Sequence, residues 1–422
     1  MQQATFAQAL QPSRVSFAQL RRDYRPMLVL VRALIGVEPN CDEYLEIWPP
    51  AFRAYNLLVP NTLNLPAMLL GMGTRKDLIG LAMYASSRAA ECMYCSAHCC
   101  SFALRRGTPE LALLGQGTRL EQAVVEVAAG LARVPAEVPQ DALGVLREEL
   151  FTPDLEWLLW SIALMGFLNK FMDAMGVPLE ASAVADVQRL IGPTGWTPGK
   201  HAWGLGLDEA ESQAADHQVP VDNLGLYLRV LSQGPAAMRL EQRWTKGIDV
   251  TVPGALGSVA STVGYGFPGL ANLRQRRPII AVSAVLRDQL DPTQTSVGLV
   301  EKVLAGLVYA EQVQSPQLVS DLLALVTIYA SGIAPDELMA LRRFARDQYT
   351  ALPVTTYDTT VGAVAMLAKL AGASPTRLTT TDVARLTTVF SAAQIVELLA
   401  WLGVLQLLNR VYAFESAIEY LH

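Results

Sequence analysis

Apolar residues recur every three or four positions through most of this chain, and alternating β-type runs are scarce. No other feature constrains the fold as much. Residues 124–131, 158–172, 322–329 and 395–412 keep that period, which gathers apolar side chains on one face of a helix. Proline and glycine fall mostly between such stretches, at Pro49-Pro50, Gly192-Pro193, Pro253-Gly254 and from Gly266 to Gly269, where they punctuate helices. The expected fold class is all-α, with many medium-length helices.

The 422 residues suffice for two or three domains of about 150 residues each. Hydrophobic residues make up 51% and charged residues 17%, so apolar surface is ample to offset chain entropy and disorder is excluded. The 33 basic and 39 acidic residues give a net charge of −6 without a basic cluster, so no nucleic-acid partner is expected. The longest apolar runs, 158–168 and 398–408, lie beside Glu156, Lys170, Glu397 and Arg410 and fall short of the ~20 apolar residues of a membrane span. They read as buried helices, and no membrane partner is expected. The first eleven residues lack a basic stretch followed by an apolar one, so no signal peptide is expected and the assignment is cytoplasmic.

A self-comparison brings out an internal repeat. The run opening at Arg25-Pro26 and ending at Leu34 matches the run from Arg277-Pro278 to Leu286. Met83-Tyr84-Ala85-Ser86 matches Ile328-Tyr329-Ala330-Ser331, and Phe167-Leu168-Asn169-Lys170 matches Leu407-Leu408-Asn409-Arg410. The offsets of 252, 245 and 240 residues drift slowly and keep their order, as small deletions would. The expected organisation is two tandem helical domains, residues 1–200 and 235–422, joined by a linker at 201–234. The first holds all five cysteines and His98, whereas from Pro235 onward the only histidine is His422. The second copy is expected to keep the packing and lack the reactive groups.

Cys92, Cys95, Cys99 and Cys100 fall within nine residues, while Cys41 stands alone. A secreted disulfide framework spreads its cysteines out, so this cluster points to redox or metal chemistry at one place. The segment from Glu91 to Arg106 lacks Gly and Pro and predicts one helix ending at Gly107. At ~100° per residue, Cys92, Cys95 and Cys99 share a face about 60° wide, with His98 about 60° beyond Cys95. A Cys-x-x-Cys pair across the first turn is disposed to close a disulfide, and the free amides there favour a thiolate. His98, one turn after Cys95, is placed to exchange a proton with a thiol. Such a thiolate attacks a peroxide, and a neighbouring cysteine resolves the sulfenate.

Cys92-x-Tyr94-Cys95-Ser96-Ala97-His98, after a helix over 77–88, resembles the carboxymuconolactone decarboxylase superfamily in its AhpD-like alkylhydroperoxidase and peroxidase-related branch. The stretch Asn169-Lys170-Phe171 through Asp173 to Gly176-Val177 resembles that family's Asn-Arg-…-Gly-Val helix end. The resemblance covers residues 50–180, and the repeat extends it weakly into the second half. It implies two AhpD-like helical domains in tandem, with Cys95 as peroxidatic thiolate, Cys92 as resolving partner and His98 as proton relay. Tyr94 either packs or donates a hydrogen bond into the site. It further implies homo-oligomers, no bound cofactor, a small hydroperoxide or dithiol substrate, and a lipoyl- or thioredoxin-type reductant. Two positions depart from the family pattern. Its histidine stands seven residues after the first cysteine, where this chain has Cys99, so Cys99 is a candidate for part of that role. Its relay glutamate stands about twelve residues before that cysteine, at Gly80; Asp77 and Glu91 are the candidate substitutes.

The bland alternative makes Cys92 and Cys95 small buried hydrophobes. Zinc on Cys92, Cys95, Cys99 and His98 would need a second chain segment, because one helix cannot surround a tetrahedral metal. Cys41, His201 or His217 would have to supply it, and nothing selects them; no metal is expected. Cys100 and Cys41 read as structural, Trp157 and Trp160 as core, and the 192–200 loop with Trp196 as a cover for the site. The functional expectation is a thiol-dependent oxidoreductase acting on a hydroperoxide. The alternatives are a non-redox acid–base or tailoring enzyme and a noncatalytic assembly protein of the same fold.

Overall fold

The computed structural model describes residues 5–65, 67–69, 72, 75–205, 219, 221–347 and 359–419. Among the described residues the chain forms twenty α-helices and no strand, the all-α fold its periodicity requires. A first run comprises α1 (Phe6–Ala9), α2 (Phe17–Ile35), α3 (Cys41–Leu45), α4 (Pro49–Thr62), α5 (Lys76–Ala89), α6 (Met93–Arg105), α7 (Glu110–Leu113), α8 (Arg119–Ala132), α9 (Gln140–Glu149), α10 (Thr152–Met175) and α11 (Ala181–Ile191). A second comprises α12 (Leu224–Trp244), α13 (Val252–Val263), α14 (Arg276–Leu290), α15 (Leu299–Gln312), α16 (Pro316–Tyr329), α17 (Pro335–Arg346), α18 (Thr360–Gly372), α19 (Thr380–Val389) and α20 (Ala392–Glu419).

The four periodic stretches fall inside α8, α10, α16 and α20. Local chemistry sets the ends. Thr118 and Glu121 form a reciprocal capping box that starts α8, each side chain taking up an amide that the first turn leaves open. Gly176, at φ 67°, ends α10 in the left-handed conformation that glycine adopts without strain.

The core is organised around α10 and α20, the most extensive helix pair in the molecule. Both are apolar on all sides, as a helix buried all round must be. Both are also long and apolar enough to cross a membrane by length and composition, yet 100% and 83% of their apolar windows are buried within the protein. Two glycines let their backbones meet. A Cβ on Gly166 would stand 2.9 Å from the Gln406 carbonyl, and one on Gly403 would stand 3.0 Å from the Phe167 carbonyl oxygen. Trp160 is fully buried and Trp157 nearly so, as expected of core residues.

Helix order and turn geometry recur between the two runs. Glu91 (φ 53°) and the N-cap Cys92 join α5 to α6; Gln314 (φ 56°) and the N-cap Ser315 join α15 to α16, each pair 223 residues apart. The succession α8–α9–α10 is echoed by α18–α19–α20, and each succession has a cis X-Pro bond in its first loop, at Val134-Pro135 and Ser374-Pro375. Asn169-Lys170 and Asn409-Arg410, 240 residues apart like those prolines, occupy α10 and α20. The other two sequence matches do not keep this register. Met83–Ser86 lie in α5, whereas Ile328 and Tyr329 end α16 and Ala330 and Ser331 follow it. Arg25-Pro26 lie in α2, whereas Arg277-Pro278 open α14. Helix-rich composition repeats such short strings without equivalence of position. A boundary between 234 and 235 would cut α12, which continues through Pro235. Residues 206–218 and 220 of the expected linker lie outside the described residues, as does His422.

Candidate active site

The cysteine segment folds as one helix, α6, ending before Gly107 at φ 88°. Cys92 is its N-cap. The Cys95 amide, the third of the first turn, donates to the Cys92 sulfur at 3.4 Å, so the pair is held in one turn. All five cysteines are free and buried. Helix α5 packs closely on α6 at Gly80, where a Cβ would stand 2.7 Å from Ala103 Cα. No side chain fits there without a shift of backbone.

Helices α2 to α6 and α10 line an almost wholly apolar cavity of about 70 Å³. Cys95, His98, Cys99 and Tyr94 reach its wall from α6, joined by Cys41, Tyr55 and Met165. That volume and lining suit a small apolar molecule of a few heavy atoms. Cys92 lies behind the wall. Cys99 is held by the Ser87 hydroxyl at 3.6 Å and by Met165 Sδ at 3.7 Å, so it is a packed wall thiol without a charged partner. Cys100 is buried away from the cavity, as its structural reading requires. Cys41, expected to be a structural residue, begins α3 and lines the cavity.

The carboxylate near the imidazole is Glu180, the N-cap residue of α11. Its Oε2 lies 2.9 Å from His98 Nε2. The two groups touch without an aligned hydrogen bond, since neither ring nitrogen has a hydrogen-bond partner. Glu180 Oε1 accepts from the Tyr94 hydroxyl at 3.2 Å and from the Asn40 amide. Cys95 and His98 thus both reach the cavity wall, with Glu180 beside the imidazole. Asp77 and Glu91, the expected substitutes for the relay, are not part of this arrangement. Asp77 sits in the first turn of α5 and pairs with Arg75 at 2.5 Å; Glu91 occupies the left-handed turn before α6 and is exposed. Glu180 escapes sequence reading because it is 82 residues from His98 and belongs to no spacing pattern.

Burial dominates the electrostatics. It pushes the Cys95 thiol well above its usual range, and hydrogen bonding with Cys92 adds to the effect. It pushes Cys99 up to about 12 and Cys41 well above the usual thiol range. The low-pKa thiolate expected from the helix N-terminus is therefore not the resting state; desolvation outweighs the dipole. Asp42, buried with both oxygens unpartnered, is likewise pushed far up by desolvation and then by Glu180. Both effects favour its neutral form.

Two buried basic side chains lie close by. Arg410 of α20 donates to Ser86 Oγ at 2.6 Å and to the Ile162 carbonyl at 2.8 Å, and Lys170 caps the Gly372 and Ala373 carbonyls at 2.7 and 2.6 Å. Burial lowers Lys170 to about 7, opposed by Asp173 and also by Cys92; it lowers Arg410 to about 10, opposed by Tyr309 and Cys95.

Among the described residues no group of three or more His, Cys, Asp or Glu side chains could hold a metal ion. His201 turns its Nδ1 to the Val177 carbonyl at 2.6 Å and is lowered to about 4 by burial; His217 lies outside the described residues. Trp196 bonds Ser96 Oγ at 2.8 Å but does not line the cavity, so it does not cover the site as expected. Comparison with family models, curated proteins and solved structures finds no match to this chain.

Proposed function

We propose that the chain is a cytoplasmic, thiol-dependent oxidoreductase of AhpD-like type, a tandem duplication whose first copy reduces a small hydroperoxide. The observation that carries this reading is the convergence of Cys95, His98 and Tyr94 on one small apolar cavity, with Cys92 in the same turn and Glu180 behind the imidazole. His98 takes the Cys95 proton as the sulfur attacks the outer peroxide oxygen. The O–O bond breaks, the proton passes to the departing alkoxide, and an alcohol leaves Cys95 as a sulfenic acid. The Cys92 sulfur then displaces the hydroxyl, its own proton completing a water molecule, and a disulfide forms. An external lipoyl- or thioredoxin-type dithiol returns the two electrons, so no bound cofactor takes part. Glu180, through His98, fills the relay role for which position 80 has no room. Assembly into homo-oligomers belongs to the same proposal.

Peroxide consumption with a dithiol reductant tests the reading. Cys95→Ser is expected to abolish turnover, and undiminished turnover rejects the reading. The burial of the thiols favours one rival, a non-redox acid–base enzyme built on His98 and Glu180. Turnover of a small acid or lactone that survives thiol alkylation but is lost in His98→Ala would establish it.

A further inference from the structure

The cavity beside Cys95 is unevenly furnished. Cys95, His98 and Tyr94 reach it from α6, whereas α2 and α10 contribute only hydrocarbon and thioether side chains. A guest with one polar end and one apolar end matches this arrangement. A guest polar at both ends would leave one hydroxyl against hydrocarbon without a hydrogen bond, which is costly. Hydrogen peroxide is such a guest; an alkyl hydroperoxide is not.

Size sets the second limit. An apolar cavity of ~150 Å³ takes benzene, a molecule of six carbons. At about 70 Å³ this cavity takes about three or four heavy atoms, the count of methyl or ethyl hydroperoxide.

The wall formed by α2 is held in place. Val31 and Leu34 are buried on its cavity side, and Arg32 between them is exposed. The Arg106 guanidinium, itself buried, donates from Nη2 to the Leu34 carbonyl at 2.7 Å. Gly36 ends α2 at φ 93° and packs directly on the Arg105 guanidinium, leaving no room for a Cβ. Both arginines stand at the end of α6, so the helix that carries Cys95 also fixes the position of Val31 and Leu34. A close-packed wall tied down in this way yields little to a larger guest.

We propose that Val31 and Leu34 set the length of the substrate, and that the hydroperoxide reduced at Cys95 is methyl or ethyl hydroperoxide. This rests on the thiol reading of the site. Hydrogen peroxide is disfavoured by polarity and branched hydroperoxides by bulk.

Two measurements on the full-length protein test it. Xenon NMR and benzene saturation transfer gauge the space without any thiol chemistry. Xenon is expected to bind and benzene is not. Val31→Phe, which fills the cavity, is expected to lose xenon, and Leu34→Ala to admit benzene. Unfolding cannot imitate that gain, and thermal melts confirm that both variants fold. The second measurement compares kcat/KM for ethyl, tert-butyl and hydrogen peroxides, each divided by its rate with the free dithiol reductant. Ethyl hydroperoxide is expected to exceed hydrogen peroxide about tenfold, since each buried carbon is worth about fourfold. The tert-butyl compound is expected to lag behind ethyl about tenfold or more, and to gain about tenfold in Leu34→Ala. Benzene bound by the unaltered protein, tert-butyl hydroperoxide turned over as fast as ethyl, or hydrogen peroxide preferred to ethyl overturns the proposal and leaves the thiol reading standing. Turnover of none of the three, with xenon bound as expected, overturns both.

Discussion

Cys95 is a thiol whose chemistry is governed by desolvation. Its neutral form is favoured in the folded chain, so reactivity depends on a base and on pH. Alkylation and peroxide turnover are expected to climb from neutral toward alkaline pH, and a plateau already reached below pH 7 would contradict this. The sign for stability follows from the same shift. The raised thiol contributes stability below the unfolded value of ~8.5, and loses it as pH rises toward the folded one. His98 should supply the base, so His98→Ala is expected to cost ~100-fold or more in single-turnover peroxide reduction, with Glu180→Gln costing less. Equal rates in all three proteins would remove the relay. The cysteines and His98 were legible because they share one helix, where spacing fixes geometry. Glu180 and Cys41 were not, because only tertiary packing brings α11 and α3 to the cavity. Asp77 was misread because an acid in a first helical turn is already served by the amides and by Arg75.

At the scale of elements, the crossing of α10 and α20 rests on backbone contact through Gly166 and Gly403. Gly166→Ala places a methyl against a carbonyl that cannot yield, and is expected to lower stability by about 1–3 kcal/mol in urea unfolding. Gly144→Ala, in α9 with nothing within 4 Å of the added carbon, is the control and should be neutral or stabilising by about 0.4–1 kcal/mol. Equal stability of the Gly166 and Gly144 variants would mean that the crossing tolerates side chains. Periodicity found the helices, and Gly107 and Gly176 marked two of their ends, since those signals are local. Register between the two runs was legible only at Asn169/Asn409. The Tyr84 and Pro26 matches rested on strings that any helix-rich chain repeats, whereas the turn at Glu91 and Gln314 shows itself only in backbone angles.

For the whole molecule, the two helical runs lock at the site. Arg410 reaches from the last helix to Ser86, Lys170 reaches from the first run to Gly372 and Ala373, and Ser374 donates to the Ala90 carbonyl at 3.4 Å, two residues before Cys92. The second run thus packs against a turn whose cysteines it lacks: Ser315 and Leu318 stand where the first has Cys92 and Cys95, in the register set by Glu91 and Gln314. The proposed function therefore gives one redox couple per chain. The most direct test treats the full-length protein with a slight excess of hydrogen peroxide, the smallest hydroperoxide, blocks the remaining thiols by alkylation and maps the cysteines by peptide mass spectrometry. A single disulfide linking Cys92 to Cys95, with Cys41, Cys99 and Cys100 alkylated, is the predicted result; Cys92 and Cys95 both recovered as alkylated thiols would contradict it.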